Sequence, residues 1–389
     1  MGDASSFTHV IVGGGLAGGL AALALTEAGR GSSVTLIDQN AALGGNHTWS
    51  FHETDLDAAD RALVMPLVSW RWPRQSARFP GQDRTLDTGY ATVASDRFAR
   101  LVGDRLAHGG VRLLLQRTAV SVTGDRVQLE DGTELRAETV LDGRGPAEVR
   151  APAAGYQKFL GLEVELAADG PWTDPIVMDA TVSQDEGFRF IYVLPFSRRH
   201  VLVEDTVYGD TPILDGATFE RRIAAYVEAA GARVGRVLRR ETGVLPLPGD
   251  AADTTAGGQD GQDRPISIGY CGGFFHPVTG YSLPVAARVA RAVASATSRA
   301  DTLAALAEIV QSLEPQRRFE RLLNRLMFRA MRAEDRWTAL ARFYQLPEPT
   351  IARFYASRST RWDRARMLLG RPPRGVAWTR LWGALEEAA

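Results

Sequence analysis

Two adjacent carboxyl groups interrupt an apolar stretch near the middle of the chain. Glu204 and Asp205 directly follow residues 201–203, which read Val-Leu-Val. In a β-strand, alternation places Leu202, Glu204 and Thr206 on one face and Asp205 on the other. A carboxyl on the wall of an apolar cavity keeps its proton near neutral pH, because desolvation raises its pKa. We therefore predict an acid/base role for Glu204. The alternative is a surface-facing or arginine-paired Glu-Asp at a strand end.

A second group of residues suited to chemistry lies near the N-terminus. Gly13, Gly15 and Gly18 form Gly-x-Gly-x-x-Gly directly after the apolar run 10–12. Asp38 closes a second apolar run, 20 residues after Gly18. Such glycines permit a tight turn, the approach of a pyrophosphate and close packing of a helix on its strand. The helix N-terminus attracts phosphates, and the acid can accept hydrogen bonds from a ribose. The pattern predicts dinucleotide binding, with a purely structural βαβ turn as the alternative.

The elements that must position these residues alternate between strands and helices. Residues 8–40 predict a βαβ unit, and residues 95–106 predict a helix. Short antiparallel strands joined by Asp-Gly and Gly-Asp turns are expected at 111–115, 119–123, 126–129 and 134–137. Beyond residue 155, further strands and a helix at 219–230 indicate a sheet domain. The pattern predicts an α/β fold class, with a Rossmann-like dinucleotide-binding domain and an antiparallel β-sheet domain.

Composition narrows the class of protein. The 389 residues have a formal net charge of −1, which gives no general argument for nucleic acid as a partner. Cys271 is the single cysteine, so we expect no disulfide framework and predict no metal site. The first strand begins almost at the N-terminus, which leaves no room for a signal peptide. No apolar stretch approaches the roughly 20 residues of a membrane span. These features favour a reducing, cytoplasmic compartment.

The C-terminal part of the chain has a distinct composition. Residues 317–389 contain 16 arginines against 7 acidic residues, interleaved with large apolar side chains such as Trp337, Phe354 and Trp362. Arginine together with Trp, Phe and Leu is typical of helices that lie on a membrane surface. The alternative is a solvated helical subdomain that packs on the rest of the protein. Nucleic-acid binding is disfavoured, because no recognition motif accompanies the charge.

Further blocks of distinctive sequence are spread along the chain. They lie at residues 13–18, 44–51 (GGNHTWSF), 142–145, 178–182, 203–206, 275–284 (FHPVTGYSLP), 342–347 and 353–355. With these blocks, the chain resembles the bacterial lycopene β-cyclases of carotenoid biosynthesis over nearly its whole length. Several blocks are specific to that family rather than general to flavoproteins. Only the loop at 249–264 looks idiosyncratic.

The resemblance implies a flavoprotein that catalyses no net redox change. Such cyclases use reduced FAD, with NAD(P)H as the reductant, and convert lycopene through γ-carotene to β-carotene by closing β-rings at its ψ-ends. Glu204 matches the glutamate that the family assigns to acid/base catalysis, and Asp205 is its candidate catalytic partner. The implied partners are lycopene, related ψ-end carotenoids, the membrane surface and other carotenoid enzymes. The implied location is cytoplasmic, peripherally on the inner face of the cell membrane.

The resemblance also implies the binding residues. The cofactor contacts implied are Gly13, Gly15, Gly18, Asp38, Arg97, Asp142, Gly143, His276, Thr279 and Gly280. A helix beginning at Ser282 would face the flavin or a phosphate. For the later positions the alternatives are structural turns and, for Arg97, a solvated arginine. The aromatic candidates for an apolar substrate pocket are Trp49, Phe188, Tyr192 and Tyr281, each of which taken alone is as readily ordinary core.

Three units follow from these expectations. The FAD-binding domain is expected at 1–150 and 265–310, with some substrate-domain strands within 50–95. The substrate-binding sheet domain is expected at 151–264, and the C-terminal helical, membrane-facing segment at 311–389. Two other functions stay open at this point. One is an FAD-dependent monooxygenase or prenyl reductase, and the other is a non-enzymatic isoprenoid-binding escort on the same fold.

Overall fold

The structure is a computed structural model, and it describes residues 8–145, 153–250, 263–370, 372–377 and 379. The strands are β1 (His9–Val12), β2 (Val34–Asp38), β3 (Thr48–His52), β4 (Trp70–Trp72), β5 (Gln75–Phe79), β6 (Gln82–Leu86), β7 (Tyr90–Ala94), β8 (Arg112–Leu115), β9 (Ala119–Val122), β10 (Arg126–Leu129), β11 (Glu134–Arg136), β12 (Thr139–Asp142), β13 (Ala153–Leu166), β14 (Ile176–Asp179), β15 (Phe188–Pro195), β16 (His200–Gly209), β17 (Val234–Pro248) and β18 (Ile266–Ser267). The helices are α1 (Leu16–Glu27), α2 (Ala58–Val64), α3 (Ser95–His108), α4 (Gly216–Ala229), α5 (Leu283–Ser295), α6 (Arg299–Arg325), α7 (Trp337–Phe343), α8 (Glu348–Tyr355) and α9 (Arg361–Leu368). Parts of the three expected units, including 251–262 of the idiosyncratic loop and 380–389 at the end, lie outside the described residues.

Five parallel strands of the described chain carry the glycine loop. Their order is β18-β12-β1-β2-β8. Every residue of β1 is buried, and α1 buries the first ten of its residues in a core that it shares with α3 and α5. Because the strands are parallel, the carboxyl ends of β1, β2 and β12 meet at one edge of the sheet. Open α/β sheets bind their ligands at this edge.

One strand of this sheet differs from the expectation. The sequence predicts an antiparallel strand at 111–115, but β8 lies parallel to β2, with Thr35 opposite Arg112 and Asp38 opposite Leu115. The Gly-Asp and Asp-Gly turns belong to the next three strands, which form an antiparallel sheet in the order β11-β10-β9. Alternation alone does not distinguish a parallel edge strand from the first strand of a meander.

A second large sheet forms the other half of the molecule. Its strand order within the described residues is β17-β13-β16-β15-β14-β5-β6. All neighbouring pairs are antiparallel except β14 and β5, which are parallel. Because β5 and β6 belong to this sheet, a segment within 50–95 joins strands from the middle of the chain. α4 packs on one face of this sheet. The strands of a smaller sheet, in the order β3-β7-β4, come from residues 48–94, and β5 and β6 of the second large sheet lie between β4 and β7 along the chain. The predicted fold class, including the antiparallel sheet and the C-terminal helices, is confirmed.

The C-terminal helices pack on the other face of the second sheet. Tyr344 and Phe354 are buried there with Phe79, Phe188 and other side chains of the sheet. Much of the aromatic content of this segment is therefore core. Other apolar residues remain exposed, notably Trp362 at 78% and Leu369 at 70%. Within the described chain, no helix combines the length and apolar character that crossing a membrane requires.

Candidate active site

The glycine loop has the geometry that its spacing predicts. Gly13 has a φ of +98°, and a Cβ there would lie 2.9 Å from the backbone of Gly143. A Cβ on Gly18 would lie 1.9 Å from the carbonyl oxygen of Gly13, so the helix packs too closely for any side chain. A Cβ on Gly15 would meet no atom within 4 Å. The loop is therefore tight at its two ends and open in the middle, where a phosphate group would approach the N-terminus of α1.

Asp38 lies beside this loop at the end of β2. Its Oδ2 accepts a hydrogen bond from the backbone N–H of Gly14 at 2.6 Å, and its Oδ1 accepts from the backbone N–H of Asn40 at 2.7 Å. The side chain also lines a cavity that extends from this loop. Asp38 thus fixes the first turn of the glycine loop and presents a carboxylate at the position expected for a ribose contact.

A single cavity of about 1090 Å³ extends from the glycine loop to Glu204. It lies just above the roughly 300–1,000 Å³ of typical small-molecule pockets, which gives room for a molecule as large as a dinucleotide. The open Gly15 position and the α1 N-terminus form one end, and the face of the seven-stranded sheet forms the other. The residues present therefore fit an FAD molecule whose pyrophosphate lies on the glycine loop.

Glu204 lies on β16 with its side chain at the wall of this cavity. Its Oε1 accepts a hydrogen bond from the hydroxyl of Thr206 at 2.7 Å, as expected for two residues on one strand face. Burial raises the pKa of Glu204 to about 8, and the neighbouring carboxylate of Glu241 adds to the rise. Burial also holds the pKa of Tyr192 and Tyr208, which face the same region, well above their usual value, so both remain neutral phenols. Glu204 is thus a group that carries a proton at neutral pH.

Asp205 points to the opposite face of the sheet. Its carboxylate accepts hydrogen bonds from Nε of Arg189 at 2.8 and 3.1 Å, and both side chains are buried. Burial raises the pKa of Asp205, while Arg189 opposes the rise. The structure therefore does not bring Asp205 to the cavity beside Glu204. Asp205 is therefore the arginine-paired carboxyl that the alternative interpretation expects, whereas Glu204 lies at the cavity.

The ion pair predicts how Asp205 variants behave. Asp205→Asn leaves the buried guanidinium of Arg189 without its counter-charge, and we expect a loss of about 3–5 kcal/mol in the free energy of unfolding. The double variant Arg189→Met/Asp205→Leu removes both charges and should recover most of that loss. Chemical denaturation of the FAD-loaded proteins measures both. An Asp205→Asn protein of unchanged stability that had lost its activity would instead assign Asp205 a catalytic role.

Some of the other expected cofactor residues line the cavity or lie next to a residue that does. Gly143, Thr279 and Gly280 line the cavity, and Gly280 has a φ of +66° that favours glycine. Asp142 lies directly before Gly143, where its carboxylate pairs with Arg144 at 2.7 Å. Ser282 is at the N-cap position of α5 as expected, but its hydroxyl makes no capping hydrogen bond.

His276 and Arg97 are placed elsewhere. The Nε2 of His276 is 3.1 Å from a carboxylate oxygen of Glu320 and 3.1 Å from the carbonyl oxygen of Phe354, so this histidine ties the loop to the C-terminal helices. Arg97 donates from Nε to the carbonyl oxygen of Leu67 at 3.2 Å. Neither side chain is part of the cavity wall. A residue in a distinctive sequence block can serve the packing around a site instead of the site itself.

Three of the four expected pocket aromatics line the cavity: Trp49, Tyr192 and Tyr281. The hydroxyl of Tyr192 donates to Ser50 at 2.6 Å, which fixes the ring. Phe188 is fully buried against Phe190 and Tyr208 instead, so it is core.

Sequence reasoning missed further wall residues, namely Tyr90, Tyr208, Glu241, Tyr270 and Tyr355. Glu241 carries a sequence signal comparable to that of Glu204, because it is an acid within a long strand. Tyr355 has no such signal, since it reaches the cavity only through the packing of α8 on the sheet.

Comparison with known proteins identifies the family of this chain. The profile of the family described as lycopene cyclase protein matches residues 9–381. The chain belongs to the lycopene cyclase family. It is 41% identical to a lycopene beta-cyclase from Pseudescherichia vulneris, over 95% of each chain. It is 39% identical to a lycopene beta-cyclase from Pantoea ananas, over 94% of each chain.

Solved structures resemble this lycopene cyclase family member in fold. A geranylgeranyl bacteriochlorophyll reductase-like protein from Thermoplasma acidophilum superposes with a TM-score of 0.64 at 14% identity, covering 99% of each chain. The oxygenase of 2-methyl-3-hydroxypyridine-5-carboxylic acid superposes with a TM-score of 0.60 at 14% identity, covering 96% of this chain and all of the other. At these identities the likeness shows the fold alone.

Proposed function

We propose that this protein is a lycopene β-cyclase that closes the ψ-ends of lycopene to β-rings, through γ-carotene to β-carotene, without net redox change. The observation that carries the proposal is the buried carboxyl of Glu204, with its pKa raised to about 8, on the wall of a cavity that is continuous with the glycine loop. Family membership supplies the substrate class. An alkene of this kind cyclises once it is protonated, so an acid held in its neutral form is the group that the reaction needs.

The proton steps balance within the site. The O–H bond of Glu204 breaks as a C–H bond forms at C2 of the ψ-end, leaving a tertiary cation at C1. The C5=C6 electron pair then forms the C1–C6 bond, and the positive charge moves to C5. The C6–H bond breaks, its electron pair forms the C5=C6 bond of the β-ring, and the proton returns to a carboxylate. The protein ends in its starting protonation state.

The cavity wall supports this chemistry in two ways. Burial keeps water from the cation, because the wall near Glu204 includes side chains such as Phe190 and Tyr208 that are buried between the seven-stranded sheet and the C-terminal helices. Aromatic rings also attract a nearby cation through their electron-rich faces, by about 0.5–2 kcal/mol each. Tyr90 and Tyr192 have their hydroxyls 3.1 Å apart, which holds their rings in place.

The same residues would hold the cofactor. Gly13 and Gly15 would carry the pyrophosphate, on a loop that Gly18 keeps close to its strand. Asp38 would hold the ribose and the segment from Thr279 the ring end, and Gly13, Gly15, Asp38 and Thr279 all border the cavity. When bound and reduced by NAD(P)H, FAD supplies an electron-rich ring that stabilises positive charge in its vicinity. No step above transfers electrons to the substrate.

Delivery of a hydrocarbon substrate favours peripheral contact with the inner face of the cell membrane. Ile213 is 73% exposed, and the next residue, Leu214, lines the cavity. The Nζ of Lys158 donates to the carbonyl oxygen of Ile213 at 2.7 Å and holds this loop in place. Trp362 and Leu369 add exposed apolar surface on the C-terminal segment. Such side chains partition into the acyl boundary of a bilayer.

Vesicles that contain lycopene test the function. FAD-loaded protein with NADPH under nitrogen should give a cyclic product with the mass of lycopene. In D₂O each new ring should carry one deuterium, because the proton comes from an exchangeable carboxyl. A product of changed mass, with NADPH consumed in proportion, would identify a reductase or an oxygenase. Binding of lycopene without any product would identify an escort and overturn the proposal.

A further inference from the structure

Two carboxyl side chains meet across the central strand of the cavity wall. Gly161 on β13 is directly opposite Glu204 on β16 and directly opposite Glu241 on β17. Residues directly opposite each other project from the same face of a sheet, and the glycine between them adds no side chain. Glu204 and Glu241 both line the cavity, and the charge of Glu241 raises the pKa of Glu204, as expected for two carboxyls that lie close together. Two neighbouring carboxyls favour a state that holds one proton between them, because two carboxylates would repel.

The surroundings decide which of the two is ionised. Oε2 of Glu241 accepts a hydrogen bond from a terminal nitrogen of Arg239 at 2.6 Å and one from the hydroxyl of Thr48 at 3.0 Å. Glu204 accepts only a neutral hydroxyl, that of Thr206, among the hydrogen bonds that the described structure gives it. Charge-assisted hydrogen bonds favour the ionised form of their acceptor. Burial raises the pKa of Glu241 as well, but Arg239 and Thr48 oppose that rise. The only hydrogen bond that opposes the rise at Glu204 is that of the neutral Thr206 hydroxyl. The negative charge of the pair therefore belongs on Glu241 and the proton on Glu204.

We propose that Glu241 is the positioning residue for the catalytic proton, and that Glu204 and Glu241 form a pair that holds one proton across Gly161. In this pair, ionised Glu241 keeps Glu204 protonated at neutral pH and orients its O–H group. The use of this proton in catalysis rests on the proposed cyclase function. In that function Glu204 gives its proton to C2 and must regain a proton afterwards. Once that proton has left, two adjacent carboxylates remain, and their repulsion favours taking the proton from C6. No further reactant is required.

The other groups around Glu204 cannot replace Glu241 in this role. Tyr192 on β15 and Tyr208 on β16 remain neutral, because burial raises the pKa of each phenol. Burial lowers the pKa of His47, and Arg239 lowers it further, so this histidine is neutral as well. Asp205 raises the pKa of Glu204 less than Glu241 does, and it lies on the other face of the sheet, paired with Arg189. Arg239 carries the positive charge that anchors Glu241.

The test compares two glutamates that bind the same arginine. Nε of Arg239 donates to Glu163 at 2.8 Å, so Glu163→Gln also removes a carboxylate from Arg239 but leaves the neighbour of Glu204 intact. The titration of the Glu204 carboxyl is followed in the FAD-loaded protein by its infrared C=O stretch, identified by its loss in Glu204→Gln. In Glu241→Gln the midpoint should fall by about one pH unit or more, because the neighbouring negative charge is gone. In Glu163→Gln it should stay in place.

The pH dependence of cyclisation gives a second readout. In Glu241→Gln the alkaline limit of activity should move down with the infrared midpoint, so that activity lost at neutral pH returns in part at lower pH. A purely structural role for Glu241 would instead lower activity equally at every pH. An unchanged infrared midpoint in Glu241→Gln would overturn the inference.

A third variant tests the Glu204–Glu241 pair even if Glu241→Gln does not fold. In Gly161→Ala, the added Cβ would lie 3.0 Å from Cγ of Glu241 and would push that side chain away from Glu204. Both carboxyls are kept, so the midpoint should move down by less than in Glu241→Gln, and a midpoint equal to that of the parent would contradict proton sharing. The infrared titration needs no substrate. If the vesicle assay gives no cyclic product while the midpoint shifts as expected, the function fails and the pair stands.

Discussion

Glu204→Gln is expected to reduce the rate of cyclisation by about 10²- to 10⁴-fold, the usual contribution of a general acid. The amide keeps the shape of the carboxyl and can still accept a hydrogen bond from Thr206, so folding and FAD content should be unchanged. It carries no proton that it can give to an alkene. The measurement is product formation per bound flavin in lycopene vesicles.

Glu165→Gln is the matched control for this substitution. Glu165 lies on β13 in the same sheet, but its side chain is 42% exposed and pairs with Arg236 at 3.1 Å. An exposed pair of this kind contributes less than about 1 kcal/mol. The activity of the Glu165→Gln protein should therefore equal that of the parent. Full activity in Glu204→Gln would remove Glu204 from the mechanism and leave the function to be explained by another acid.

The same carboxyl determines how the parent enzyme responds to pH. Glu204 must be protonated to act as an acid, and its raised pKa of about 8 means that the protonated form dominates below that pH. Activity should therefore persist through neutrality and fall as the pH rises through about 8. A carboxyl with an ordinary pKa would already have lost its proton several units lower. The alkaline limit should be absent from the residual activity of Glu204→Gln.

The second large effect is expected at Gly15. In Gly15→Ala the new methyl group enters the open space above the loop without touching the protein, and the extended backbone there, with a φ of −69°, suits alanine. The fold should therefore be preserved. The methyl occupies the approach of the pyrophosphate, and losing one hydrogen bond to a charged group costs about 1.5–3 kcal/mol. The dissociation constant of FAD should rise by roughly 10- to 100-fold, as measured by flavin fluorescence.

Two other glycines provide the comparison. A Cβ on Gly103 in α3 also meets no atom within 4 Å, but it lies in a helix away from the cavity, so Gly103→Ala should bind FAD as the parent does. In Gly18→Ala the Cβ would collide with the carbonyl oxygen of Gly13, and the apoprotein itself should lose stability. Equal FAD affinity in Gly15→Ala and Gly103→Ala would place the pyrophosphate away from this loop.

Local sequence was sufficient where a function depends on residues that are close along the chain. The glycine loop needs only a strand, three spaced glycines and a helix, and Gly13, Gly15 and Gly18 have the geometry that their spacing predicts. The facing of Glu204 and Asp205 also followed from strand alternation alone, because a strand has a period of two. What alternation does not supply is the partner on each face, and the structure places Arg189 beside Asp205.

The rest of the site depends on contacts between distant segments. Glu241 meets Glu204 because β17 and β16 both pair with β13, and a register is not readable from one strand. His276 and Arg97 lie in segments near the cavity, yet their side chains bond to Glu320 and to the backbone at Leu67. Proximity in sequence to a binding motif therefore indicates a neighbourhood, while the direction of each side chain is set by tertiary packing.

The position of Tyr355 has a consequence for how the protein is made. This residue from α8 shares a cavity with the glycine loop, although the two come from opposite ends of the chain. A nascent chain on the ribosome can form the βαβ unit early, because its contacts are local. The apolar face of the second sheet beside β15 stays exposed until the last helices have been synthesised and pack on it. During that interval the incomplete chain exposes an apolar surface that is prone to aggregate. Early binding of flavin to the glycine loop would stabilise only the half of the protein that carries this loop.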